Sequence, residues 1–84
     1  MDWSVQWTDQ GLRDLSALDP PVAKRVVAKL EQAVENPEHY FRRLAGFGDF
    51  KLRVGDYRLL ATIDHGTKTI FVERVDHRSR IYER

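Results

Sequence analysis

Two short stretches hold the residues whose types and spacing suit chemistry: FKLRVGDYRLL (50–60) and VERVDHRSRIY (72–82). Arginine presents a rigid fork that matches phosphate and keeps its proton, and tyrosine adds a ring for stacking and a hydroxyl. Gly55-Asp56 reads as the two-residue loop of a hairpin, with glycine first as a type II′ turn requires. That turn sets Val54 opposite Tyr57, Arg53 opposite Arg58, Leu52 opposite Leu59 and Lys51 opposite Leu60. Like charges facing each other across a ladder are destabilising. Either the side chains splay into solvent or an anion normally sits between them, and the hairpin alone leaves both readings open. Alternate residues of an extended chain share a face, so Arg74, Arg78, Arg80 and Tyr82 would line one side of the last strand. In the absence of a β-bulge, Phe71, Val75 and Ile81 face the core. The opposite side then gathers Lys51, Arg53, Arg58, Arg78 and Tyr82 beside Leu60, Ile70 and Val72.

Such a face can hold phosphates and stacked bases, or receive a partner helix. Cleavage of RNA by its own 2′-hydroxyl needs a base, an acid for the leaving oxygen, and cations for the phosphorane charge. Lys51 can serve as the base if the neighbouring guanidinium groups disfavour its charged form. Arg58 and Arg78 suit the developing charge, and Tyr82 suits stacking or a shared proton. His77 is an accessory candidate, but strand alternation turns it toward the core side, and a lone histidine is more often structural. His39 and His65 fall in loops and carry no constellation. There is no cysteine, no H-x-x-H pair, no cluster of carboxylates, no P-loop and no serine nucleophile elbow. No metal and no cofactor are therefore expected.

The elements that must position these residues follow from patterning. With 84 residues and a net charge of +1, the expectation is one domain spanning 1–84. No apolar run is long enough for a membrane span, and the opening MDWSVQWTD carries an acid at once, unlike a signal peptide. A cytoplasmic protein without a membrane partner is expected. Trp3, Val5 and Trp7 alternate with polar residues as in a half-buried strand. Thr8 or Asp9 caps a helix marked by Leu12, Leu15 and Leu18. Asp19-Pro20 opens a second helix running to about Glu35, with a wide apolar stripe. On its polar side Lys24, Arg25 and Lys29 precede Glu31 and Glu35, an order that opposes the helix dipole. A solvated face is the plainer reading of those charges, and a second contact for a polyanion the sharper one. Residues 38–48 read as loop, followed by three strands in a meander. The expected fold is α+β, β-α-α-β-β-β, with two N-terminal helices on one face of a small, mostly antiparallel, four-stranded sheet.

LAGFGDFKLRVGDYRLLATID (44–64) followed by VERVDHRSRIY (72–82) resembles the RelE/ParE superfamily of bacterial and archaeal toxins. The order of elements over the whole chain fits as well. The resemblance implies a RelE-like toxin of a type II toxin–antitoxin system. RelE-type members are ribosome-dependent mRNA interferases that cut the A-site codon by metal-free 2′-hydroxyl attack. The family's catalytic lysine, its two arginines and its late tyrosine match Lys51, Arg58, Arg78 and Tyr82, and Arg53, Arg74 and Arg80 would contact RNA. The implied partners are a RelB-like antitoxin that covers the basic site, the ribosome and mRNA, with a toxin–antitoxin heterotetramer as the assembly. Some members carry a second lysine where this chain has Asp49. An Asp49–Lys51 pair would keep Lys51 protonated, which leaves the general base open. ParE-type relatives share the fold but poison DNA gyrase, and a catalytically weak antitoxin-binding module is the remaining alternative. The set Lys51, Arg58, Arg78 and Tyr82 favours the RelE branch.

Overall fold

A computed structural model describes residues 3–44 and 49–81. The Trp3/Val5/Trp7 alternation forms β1 (Ser4–Trp7), with these three side chains packed toward the core and Ser4 and Gln6 exposed. Thr8 is the cap of α1 (Asp9–Ala17), its hydroxyl accepting from the Gly11 N–H at 3.0 Å. Gly11 and Leu15 of α1, with Leu18 at its C-cap, make the inward stripe; Leu12 lies beside it and is 48% exposed, contrary to expectation. Asp19 occupies the cap position of α2 (Pro20–Ala33) without a side-chain capping bond. Pro20 at the first position presets the helical φ there. The helix ends at Ala33, ahead of the expected Glu35.

Part of the stretch read as loop is ordered. A single turn, α3 (Pro37–Tyr40), leads into a two-residue strand, β2 (Arg42–Arg43). Elements this short have no periodicity to detect. Residues 45–48 of that stretch lie outside the described residues. β3 (Phe50–Val54), β4 (Tyr57–Asp64) and β5 (Thr69–His77) complete the chain's order. The sheet therefore has five strands, in order β1-β5-β4-β3-β2, rather than four. β1 runs parallel to β5 and the remaining pairs are antiparallel. Val26, Leu30 and Ala33 of α2 pack with Leu52, Val54, Leu59 and Ala61 in the core.

The hairpin register is as expected from Val54↔Tyr57 through Phe50↔Ala61, including Arg53↔Arg58. Gly55 has φ 59° whereas Asp56 stays at negative φ, the type II′ pattern. In β5 the expectation changes sign. Leu60 pairs with Arg74 but Ala61 pairs with Val72, so Glu73 is an extra residue and the strand is bulged there. Ile70 and Val72, expected on the cationic side, are fully buried in the core. Phe71 instead lies opposite Thr62, away from the core, whereas Val75 beyond the bulge keeps its expected inward place.

The bulge is where α1 docks. The Thr8 N–H and hydroxyl both donate to the Val72 carbonyl at 3.1 Å, continuing the β1–β5 pairing into the cap. Asp14 then accepts from the Val75 N–H at 2.9 Å and from the Arg74 Nε at 2.6 Å, covering the part of β5 that β1 does not reach. Burial pushes the Asp14 carboxyl up. The Arg74 guanidinium, the Val75 N–H and the Gln10 amide outweigh it, so its pKa lies below the ordinary carboxylate value.

Two predictions follow from this clasp. A methyl group at Gly11 would run into the Val72 carbonyl oxygen, so Gly11→Ala lowers the melting temperature although alanine favours a helix by ~1 kcal/mol. Because the folded-state pKa of Asp14 is depressed, its contribution is present above the unfolded pKa and is lost as pH falls through the folded one. Asp14→Asn should thus narrow its stability gap to wild type as denaturation midpoints are measured at decreasing pH below ~4. A gap independent of pH would contradict the role given to the carboxylate.

Candidate active site

Lys51, Arg58, His77, Arg78 and Ser79 line one open hollow of about 410 Å³ at the end of β5. Lys51 comes from β3 and Arg58 from β4. Arg78 follows β5, and its N–H donates to the Asp56 carbonyl at 2.8 Å, tying the strand's exit to the hairpin turn. Its side chain is exposed, with Nε 3.7 Å from an Asp56 carboxylate oxygen that is exposed too. An ion pair this open is worth little and yields readily to a phosphate.

Arg58 is the one buried charged side chain among the described residues, at 9% exposure. Its Nη1 donates to the Gly55 and Tyr57 carbonyls, both at 2.9 Å. These bonds explain how two arginines face each other: Arg58 folds back onto the turn while Arg53 stays exposed. A second hollow of about 530 Å³ adjoins the first, sharing Lys51 and Arg58 and adding Tyr40, Arg42, Arg43 and Arg53. Arg42 is placed by its pairing with Lys51 and by an Nη1 bond to the His39 carbonyl at 3.1 Å. Arg43 stands over the Phe50 ring at 5.3 Å.

His77 keeps the side that strand alternation gave it, yet it borders the hollow because it sits where β5 ends. It pairs with Tyr57 across the sheet, meets that ring edge-on at 5.3 Å, and lines the hollow with Lys51, Arg58 and Arg78. The Ser79 N–H donates to its Nδ1 at 3.1 Å, and the Ser79 hydroxyl lies 2.9 Å from the same atom. An Nδ1 that accepts from a backbone N–H leaves the proton of the neutral ring on Nε2.

Other expected residues stand apart. Arg74 is engaged by Asp14 at the bulge, which gives it a contact within the fold, and it lines neither basic hollow. Arg80 pairs with Asp76 at 3.3 Å and lines a different cleft with Asp14, Asp19 and Asp76. Tyr82 lies outside the described residues. Asp49 accepts from the Leu44 N–H through its carbonyl at 2.9 Å, and none of the ion pairs among the described residues joins it to Lys51. Arg42, Arg43 and Ser79 were not singled out in the sequence. The Arg42-Arg43 charge was visible there, but its place beside Lys51 depends on a strand too short to read. Among the described residues, no three of His, Asp and Glu converge as a metal's ligand set would. No helix of the structure is long and apolar enough to cross a membrane.

Comparison with known proteins places the chain in a family. Residues 5–82 match the family described as ParE toxin of type II toxin–antitoxin system. The chain is 37% identical to Toxin RelG of Mycobacterium tuberculosis, with all of both chains covered. It is 32% identical to Putative toxin RelE4 of Methanocaldococcus jannaschii, over 90% of this chain and 83% of the relative. The chain belongs to the RelE/ParE family of type II toxin–antitoxin toxins. Among solved structures, the RelBE2 toxin–antitoxin complex from M. tuberculosis superposes with a TM-score of 0.83 at 33% identity, covering 93% of this chain and all of that one. The isolated E. coli RelE toxin, at 23% identity, shares the fold with a TM-score of 0.78 over 96% of this chain and 92% of its own.

Since Arg58 is both buried and bonded to the turn, Arg58→Ala should lower unfolding free energy by ~1–3 kcal/mol, the usual cost of losing hydrogen bonds from a charged group. Denaturant titration measures this. An unchanged midpoint would mean that the turn carbonyls do not hold the guanidinium.

Proposed function

We propose that this toxin is a ribosome-dependent mRNA interferase, a metal-independent endoribonuclease acting on the A-site codon and held inactive by a RelB-like antitoxin. The observation that carries the reading is the convergence of Lys51, Arg58, Arg78 and His77 on one open hollow beside a second, arginine-lined one. The 2′-oxygen attacks the adjacent phosphorus, losing its proton to a base, while the bond from phosphorus to the 5′-oxygen breaks and that oxygen takes up a proton. The products are a 2′,3′-cyclic phosphate and a 5′-hydroxyl. Arg58 and Arg78 stand where two guanidinium groups can share the added negative charge of the phosphorane. Arg58 is held in advance by the turn, so little reorganisation accompanies the reaction. Lys51 and His77 are the proton-transfer candidates, with neutral His77 offering an Nε2–H to the leaving oxygen or to a phosphate oxygen. Tyr82 is proposed to stack on a base, as the family match implies. Inhibition of translation in the cytoplasm would follow from the cleavage.

Programmed ribosomes with a defined message test this. The expected outcome is cleavage within the A-site codon leaving a cyclic phosphate end, and a 10²–10³-fold lower kcat per folded molecule for Arg78→Ala, roughly the loss seen when one charge-stabilising donor is removed. An intact message at stoichiometric toxin would refute the assignment.

The match to a family described by ParE supports a second reading, a gyrase poison without RNA chemistry. Inhibited supercoiling with an untouched message would select it.

A further inference from the structure

The polar face of α2 carries an arrangement that its solvated reading does not explain. Arg25 and Lys29, one helical turn apart, converge with Arg53 of β3 around a third, open hollow of about 490 Å³, which Gln32 also lines. Arg53 also lines the second hollow, so the third is joined to the active site through a shared side chain. A further link is Lys29, whose Nζ sits 5.1 Å over the ring of Tyr40, another lining residue of the second hollow. None of the ion pairs among the described residues involves Arg25, Lys29 or Arg53. Neither Glu31 of the same helix nor Glu35 just beyond it lines the hollow. A chain of net charge +1 thus sets a run of cations from Arg78 to Arg25 along linked hollows, with Arg78 alone in that run joined to a carboxylate, the exposed Asp56, among the ion pairs of the described residues.

We infer that Arg25 and Lys29, together with Arg53, bind RNA phosphates away from the scissile bond, extending the active-site groove across the α2 face. The inference rests on the proposed RNA-directed function and adds where the backbone runs. Phosphate contacts of this kind position a strand without reading bases. The phosphates can belong to the message or to ribosomal RNA, since the recognising chemistry is the same.

The experiment uses the double variant Arg25→Ala/Lys29→Ala, with Lys24→Ala as a control that removes a charge from the same helix outside the hollow. Binding is measured against salt in two arms: a single-stranded message oligonucleotide, and ribosomes lacking message. Cleavage on programmed ribosomes is followed in parallel. In one arm the double variant should flatten the slope of log K against log salt by about 1.4 for two lost single-strand contacts, and that arm names the source of the phosphates. KM should rise several-fold with kcat unchanged, and Lys24→Ala should match wild type. Arg25→Glu alone, at an exposed position, gives the same direction of change if Lys29→Ala disturbs packing on Tyr40. Wild-type slopes in both arms overturn the inference while leaving cleavage intact. An equal effect of Lys24→Ala also overturns it, because net charge would then suffice. Absence of cleavage by the wild type would refute the proposed function instead, with the binding slopes still reporting on α2.

Discussion

The extra residue in β5 opposite Leu60 sets both faces of the sheet. Before it, Ile70 and Val72 point into the core; after it, Val75 does. Without the bulge, a strand of this composition would have to bury Glu73 or expose Val75. The extra residue loosens the ladder locally, and α1 closes the gap by supplying the Asp14 carboxylate to the Val75 N–H. Arg74 neutralises that carboxylate, so a charged group can sit largely out of water at the sheet's edge. Gly11 permits the approach, because any side chain there would meet the Val72 carbonyl. Thr8, Gly11 and Asp14 thus fasten one helix to one irregular strand.

The same irregularity bears on the residues of the candidate site. Past the bulge, His77 pairs with Tyr57 and the chain leaves the sheet beside the hairpin turn. Arg78 is fixed to that turn through Asp56, and Arg58 is fixed to it through the Gly55 and Tyr57 carbonyls. A type II′ turn, which needs positive φ only at Gly55, therefore orients two guanidinium groups from opposite sides. The repulsion between Arg53 and Arg58 is managed by geometry, one side chain folded onto carbonyl dipoles and the other extended into solvent. Among the described residues, the exposed Asp56 is the one carboxylate that forms an ion pair with this cationic surface. The proposed chemistry needs such a surface, because developing phosphorane charge is stabilised best by donors already in place.

Net charge conceals this arrangement. Acids and bases nearly balance in the chain, yet they are sorted in space. Asp14, Asp19 and Asp76 lie around a cleft between α1 and the far side of β5, whereas the arginines of β2, β3 and β4 share hollows with Lys51. Sorting of this kind concentrates potential on one surface. It also fits a toxin family whose solved relatives include complexes with antitoxins, since a strongly basic surface is one that a partner can cover.

Much of the fold was legible from local patterns. Trp3/Val5/Trp7 alternation, the Asp19-Pro20 helix start and the Gly55-Asp56 turn each state their structure within a few residues, and the turn alone determined that Arg53 faces Arg58 and Lys51 faces Leu60. Lys51, Arg58 and Arg78 could be named as a group for that reason and by resemblance. What the sequence could not settle depends on contacts between distant residues. The bulge at Glu73 leaves no mark in composition, being favoured by Asp14 sixty-one positions before Val75. It removed Ile70 and Val72 from the basic face and committed Arg74 to the fold, while His77 joined the site as β5 met the turn. The Arg42-Arg43 strand, too short to have a period, exists only because β3 offers it an edge. Alternation within a strand is a property of the backbone, but which alternate set is buried is decided by what packs against it.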